Sequence, residues 1–168
     1  MSNADVVPQI EGLLDRVESI MERDVVVLSP DESLGDAARA LERAEISGAP
    51  VVAGSRLVGM VSLADLFRGA GIRPEDAATS GPWHRHEHAM AQSGRTVAQV
   101  MNTKVVTLPP EASITRAAAA MSTQGVNRIP VLDRDGAVIG IVARDDIIDA
   151  VARTTGGART ARSSKEGS

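Results

Sequence analysis

Ser62 and Asp65 stand three residues apart, just after Gly59-Met60-Val61, and their types and spacing can do chemistry. An ionised carboxylate offers two acceptor oxygens and can take both hydroxyls of a ribose at once. A hydroxyl where a helix begins lies beside unpaired backbone N–H groups and can face a phosphate. The same spacing also describes a serine helix cap followed by an acid near the N-terminal dipole, and short polar motifs of this kind cap more often than they bind. A second such place reads Gly140-Ile141-Val142-Ala143-Arg144-Asp145-Asp146. It keeps the acid, Asp146, but Ala143 replaces the hydroxyl, so a reciprocal side-chain cap does not explain Asp146. All three histidines fall in Trp83-His84-Arg85-His86-Glu87-His88. On a strand, His84, His86 and His88 would point the same way and could share Zn²⁺ or Ni²⁺; on a helix only His84 and His88 would share a face. The alternative is an exposed polar segment anchored by Trp83, and short His-rich tracts are compositional signals only.

Composition narrows the chemistry further. The chain has 168 residues, no cysteine and a net charge of -4. A disulfide scaffold, a thiolate metal site and a cysteine nucleophile are excluded. Acidic balance argues against nucleic acid as the main partner, and 1% aromatic content leaves no platform for stacking bases. Gly-x-Ser-x-Gly, His-Glu-x-x-His and Gly-Lys-Ser/Thr are all absent, so no catalytic residues are assigned and the chain reads as a non-enzyme. No apolar run approaches membrane-spanning length, and Met1–Asp5 does not resemble a signal peptide, so the expected compartment is the cytoplasm.

The elements that must position these residues occur twice. Residues 17–52 align with 97–132 at an offset of 80, with 12 of 36 positions identical, and Gly59, Val61 and Asp65 recur as Gly140, Val142 and Asp146. Each copy predicts a strand (Val25–Leu28, Val105–Leu108) stopped by proline. A helix follows, capped by Ser33 or Ser113, with an i, i+3, i+4, i+7 stripe: Leu34, Ala37, Ala38, Leu41 and Ile114, Ala117, Ala118, Met121. A hairpin and a short closing helix, Leu63–Phe67 or Asp145–Val151, complete the order strand, helix, strand, strand, helix. One copy of about 50 residues buries too little surface alone, so the two are expected to pair their sheets and share a core.

The tandem order Val-x-x-x-Met, Val-Val-x-Leu-x-Pro, Pro-Val, Gly-x-Val-x-x-x-Asp resembles a pair of CBS domains, the Bateman module. The resemblance implies an α+β fold of two pseudo-symmetric β-α-β-β-α repeats forming one module. It implies a stand-alone regulatory protein whose clefts between repeats bind AMP, ADP, ATP or S-adenosylmethionine, with no required cofactor. It also implies a homodimer that passes occupancy to a partner protein. Ser62 and Asp65 match the family's Gly-x-x-(Ser/Thr)-x-x-Asp in full, and Asp146 matches its acid. Arg128 matches a position that often reaches ligand phosphate, a task suited to guanidinium; a surface ion pair is the alternative. Arg144 would stand in as a cation where the hydroxyl is missing, or remain a solvated surface residue. Thr107 is placed to bond an adenine edge or phosphate, or is simply a good strand residue. Ile129 and Pro130, with Val106 and Val131, would flank adenine, as well as serving the core. Gly48 and Val27 occupy the positions of Arg128 and Thr107 in the first copy, so the two sites are expected to differ. A ligand-independent scaffold with degenerate clefts is the rival reading, and a metal sensor through the histidines a lesser one.

The domain boundaries that follow are an N-terminal extension at 1–16 with an apolar helical stripe through Ile10, Leu13, Leu14 and Val17, repeats at 17–67 and 97–152, a linker insert at 68–96, and a polar tail at 153–168 expected to be disordered.

Overall fold

The computed structural model describes residues 15–73, 75–76 and 86–163. In chain order the elements are α1 (Leu34–Arg43), β1 (Gly48–Ala53), β2 (Arg56–Ser62), α2 (Leu63–Gly69), α3 (Glu87–Gln92), α4 (Ile114–Gln124), β3 (Arg128–Leu132), β4 (Val138–Ala143) and α5 (Arg144–Ser163). The chain divides into two units: one is Val25–Val105, the other joins Val106 onward to the segment ending at Asp24. We refer to them as the first-repeat and second-repeat units.

Serine caps and small-residue stripes make the helices. Ser33 Oγ accepts the Asp36 N–H at 3.1 Å, and Ser113 Oγ accepts the Arg116 N–H at 3.1 Å, each satisfying an N–H that the helix itself cannot. Behind the caps, Leu34, Ala37, Ala38 and Leu41 are 0% exposed, and Ile114, Ala117 and Met121 are buried at the matching places. The alanines let α1 lie close against α2 and α3, and α4 against α5 and β3. In the first-repeat unit Gly48 pairs with Ser62 and Val51 with Gly59; in the second Arg128 pairs with Ala143 and Val131 with Gly140. The two hairpins remain separate two-stranded sheets, and each unit has its own hydrophobic cluster, around Leu34 and Leu41 in one and Ile114 and Met121 in the other. The expected joining of sheets over one shared core is therefore replaced by two cores.

Each core is large enough because it is completed by a segment preceding the other copy in sequence. Val17 and Met21 belong to the second-repeat cluster, while Val97 and Met101 belong with the first. A single 3₁₀ turn begins each segment, at Val17–Ser19 and Val97–Gln99. Val17 and Glu18 donate to Ala112 O and Pro110 O; Val97 and Ala98 donate to Glu32 O and Pro30 O. A few residues on, Glu22 and Ile141 exchange two backbone bonds, as do Asn102 and Met60. Met101 then lies over Gly59 and Met21 over Gly140, so closely that a Cβ at either glycine would overlap the thioether. That contact is the physical basis of the repeated Met and Gly.

The strands expected at Val25–Leu28 and Val105–Leu108 reduce to single parallel bridges, Leu28 to Val51 and Leu108 to Val131. Leu28 N–H donates to Pro50 O and Val52 N–H to Leu28 O, both at 2.9 Å. The next ladder bond would need an N–H from Pro50, or from Pro130 in the second unit, and proline has none. Val26 and Val27 consequently lie 36% and 46% exposed.

Two other segments are helical. The end of the linker folds as α3, where Met90 is 0% exposed and Glu87 pairs with Arg39 of α1. The segment after Val151 continues α5, which runs to Ser163. Helix extension adds one backbone bond per residue once the preceding turn is fixed, and Thr154 Oγ1 donates back to Ala150 O at 3.0 Å rather than competing with the helix. The predicted extension helix falls largely on residues outside those described, as do Trp83 and His84.

Candidate functional site

In the first-repeat unit, Leu63 N–H donates to Ser47 O at 2.9 Å and starts α2 directly from the end of β2. Ser62 and Asp65 form a reciprocal cap across that start. Asp65 N–H donates to Ser62 Oγ at 3.2 Å, and Ser62 N–H donates back to Asp65 Oδ2 at 2.9 Å. Ser62 Oγ also donates to Asp65 Oδ2 at 2.6 Å. The other carboxylate oxygen, Oδ1, accepts from the Arg68 guanidinium one turn along α2. The capping alternative for Ser62-x-x-Asp65 is thus realised, with both oxygens engaged. Gly48 faces the same start: a Cβ there would lie 2.9 Å from Val61 O, too close to be accepted without a shift, where the other unit carries Arg128.

The second-repeat unit uses the same backbone and different side chains. Arg144 N–H donates to Asn127 O at 2.9 Å, the equivalent of the Leu63–Ser47 bond. Asp146 Oδ2 accepts the Ala143 N–H at 2.7 Å, and no other hydrogen bond to its carboxylate occurs among the described residues. Arg128 is the cross-strand partner of Ala143, so it and Asp146 converge on one backbone position. Arg128 is half-buried and Arg144 exposed, and neither forms an ion pair among the described residues. The surface ion-pair alternative for Arg128 is not what this structure contains. Thr107 directly precedes the Leu108 bridge, where Leu108 N–H donates to Pro130 O at 3.1 Å, which brings it beside the same strand. Ile129 is 0% exposed and Pro130 is buried, so both serve the core, and Pro130 O already accepts the Leu108 N–H. Thr107, Arg128, Arg144 and Asp146 therefore gather in one unit; Ser62 and Asp65 belong to the other.

The matches to known proteins agree with this construction. The family model for the CBS domain matches residues 17–70 and 97–153. The chain belongs to the CBS domain family. An uncharacterised protein of Methanocaldococcus jannaschii is 30% identical over 159 residues, covering 84% of this chain and 94% of its own. The CBS domain of a CBS-domain-containing membrane protein from Sphaerobacter thermophilus superimposes with a TM-score of 0.70 at 30% identity, over 88% of this chain and 94% of that one. CBSX2 of Arabidopsis thaliana, solved in complex with AMP, gives 0.66 at 24% identity, over 83% of this chain and 98% of that one, and so shares the fold. Other relatives are longer: the chain spans 23% of an inosine-5'-monophosphate dehydrogenase of Korarchaeum cryptofilum, at 29% identity over 133 residues. CBS pairs are regulatory, non-catalytic modules as a class, and this chain is a CBS pair. Among the described residues no helix is long and apolar enough to cross a membrane.

His86 and His88 do not converge, and His84 lies outside the described residues. His86 and His88 lie at the start of α3, on helical backbone two residues apart, which turns them to different sides. His86 stacks edge-on against Phe67 with ring centroids 5.7 Å apart, and His88 is exposed. His86 and His88 therefore lack the strand geometry that would align their imidazoles, and no group of three metal-ligating side chains occurs among the described residues. Arg68 is the residue that the motif reading missed. Its signal was present as an acid and a base at i, i+3 on a short helix.

Proposed function

We propose that this CBS pair binds an adenosine-containing ligand through its second-repeat unit, and that occupancy alters a surface read by a partner protein. The observation that carries this reading is the grouping in that unit of a carboxylate with unused acceptor capacity and two guanidinium groups without internal partners. Asp146 suits the ribose hydroxyls, and Arg128, with Arg144 nearby, suits phosphate. The Thr107 hydroxyl, on the residue beside the Leu108 bridge, offers a neutral donor and acceptor for adenine. AMP in CBSX2, and 5-methylthioadenosine with S-adenosylmethionine in another CBS pair, support this ligand class. Regulation follows if the ligand binds one arrangement of repeats or subunits better than another.

A thermal-shift panel of AMP, ADP, ATP, S-adenosylmethionine and NAD tests the proposal. Ligand at about 100 times its dissociation constant stabilises the folded chain by about 2.7 kcal/mol per site. Arg128→Ala is expected to weaken AMP about tenfold or more, since hydrogen bonds to charged groups are worth about 1.5–3 kcal/mol. It should leave the ligand-free melting temperature nearly unchanged. No shift with any of the five at millimolar concentration would sink the proposal.

The scaffold reading is favoured for the first-repeat unit by one specific observation, the engagement of both Asp65 oxygens by its own chain. Calorimetry separates the two assignments. Asp146→Ala should remove most of the nucleotide heat and Asp65→Ala little of it.

A further inference from the structure

The structure assigns Arg68 the role of a built-in competitor that keeps a sugar diol off Asp65, a role that rests on the adenosine-binding reading above. An ionised carboxylate has about four lone-pair positions. At Asp65 three are occupied, by Ser62 N–H, Ser62 Oγ and the Arg68 guanidinium. At Asp146 one is occupied, by Ala143 N–H. A pair of vicinal hydroxyls needs two. The second-repeat acid can therefore accept a diol as it stands, whereas the first-repeat acid must first lose one of its present partners.

Arg68 is the partner that yields. Losing the Ser62 cap would cost a factor of about two to thirty in stability of the local fold. Losing an ion pair as open as this one costs a factor of about five at most. Arg68 is 60% exposed against 25% for Asp65, and it borders an open depression of about 640 Å³ lined by Gly71, Ile72, Arg73 and Glu75. A displaced guanidinium thus enters water. The position equivalent to Arg68 in the second repeat is Asp149, an exposed acid that cannot pair with Asp146. The competitor is a property of the first repeat alone.

Adenosine, which carries the diol and no phosphate, is the probe. Calorimetric titration of the full chain is made in an Asp146→Ala background, so that the second-repeat acid does not mask the first. Adding Arg68→Ala should tighten the residual adenosine binding two- to fivefold, Arg68→Lys should gain less, and Asp65→Asn should abolish the gain. In the parent chain, Asp149→Arg should weaken adenosine two- to fivefold by building the same competitor beside Asp146. Residual binding that Arg68→Ala leaves unchanged or weakens overturns the inference, as does a failure of Arg68→Ala to restore measurable binding while the parent binds. Absence of adenosine heat from the parent and every variant overturns the adenosine reading together with it.

Discussion

The two units use one backbone plan to opposite ends. At matched positions the first-repeat unit carries Gly48, Ser62, Asp65 and Arg68, while the second carries Arg128, Ala143, Asp146 and Asp149. In the first, polar capacity is turned inward: a hydroxyl caps a helix, a carboxylate accepts three donors, and a glycine stands where a Cβ would crowd a carbonyl. In the second, the cap has lost its side chain, and the charges that remain have few internal partners. Duplication therefore preserved the frame and released the site. A stabilising contact and a binding contact compete for the same lone pairs, so a repeat that spends its carboxylate on its own fold has less to offer a guest.

The largest test asks whether the frames really are equivalent. Leu34 and Ile114 are the first stripe residues of α1 and α4, at 0% and 1% exposure. Leu34→Ala and Ile114→Ala should each lower unfolding free energy by about 2–5 kcal/mol in chemical denaturation, from lost burial together with the cavity left behind. A loss under about 1 kcal/mol at one position and a full loss at the other would show that the two cores are unequal. The next test tries to make the sites alike. Gly48→Arg places a Cβ 2.9 Å from the Val61 carbonyl, so backbone must shift, and it should destabilise by about 1–3 kcal/mol. Full stability and a gain in AMP affinity would instead mean that the backbone beside Gly48 yields without cost and the first site tolerates an arginine.

A smaller effect reaches the cap itself. Ser62→Ala removes the hydroxyl that accepts Asp65 N–H and should cost about 1 kcal/mol by thermal or urea unfolding. Its mirror, Ala143→Ser, should stabilise by a similar or smaller amount and at the same time draw Asp146 inward, weakening AMP. If Ala143→Ser strengthens AMP binding, the hydroxyl serves ligand rather than fold, and the contrast between inward and outward use fails at this position.

Much of this frame was legible in the sequence, and the reasons it was not wholly so are physical. Ser33 and Ser113 with their 3-4-7 stripes placed α1 and α4 because capping and helical periodicity are local. The hairpins followed from the same locality. The exchange of leading segments was hidden by the repeat: Met21 and Met101 are identical, as are Gly59 and Gly140, so sequence cannot say which methionine covers which glycine. The first strand of each copy looked stronger than it is because the N–H that Pro50 and Pro130 lack is needed by a neighbouring strand, far away in sequence. At the site, Asp65 and Asp146 were found by spacing, but their different states depend on Arg68 and Asp149, one turn beyond the motif. Ile129 looked like a ligand contact and is core, since the apolar character that would flank adenine is also what burial selects.

The smallest expected effect is a difference in acid sensitivity between the caps. Ser33 donates to Asp36 Oδ2 at 2.7 Å, and Arg39 pairs with the other oxygen while also reaching Glu87. The Ser33 hydroxyl first, and then Arg39, hold the Asp36 carboxyl below its ordinary value of 3.8. A group lowered on folding contributes stability above its unfolded pKa, and that contribution disappears as pH falls through the folded pKa. The first-repeat unit should therefore weaken below about pH 4 through Asp36. At the matching place the second repeat has Arg116 in place of a carboxylate, and its positive charge opposes the dipole at the start of α4. Asp36→Asn should flatten the acid limb of the melting curve by about a degree or two, a small value because the pair is open to solvent. Arg116→Asp should add a matching acid limb to the second repeat, with slightly higher stability at neutral pH. An acid limb that survives Asp36→Asn unchanged would move the sensitivity elsewhere and leave the two caps equivalent.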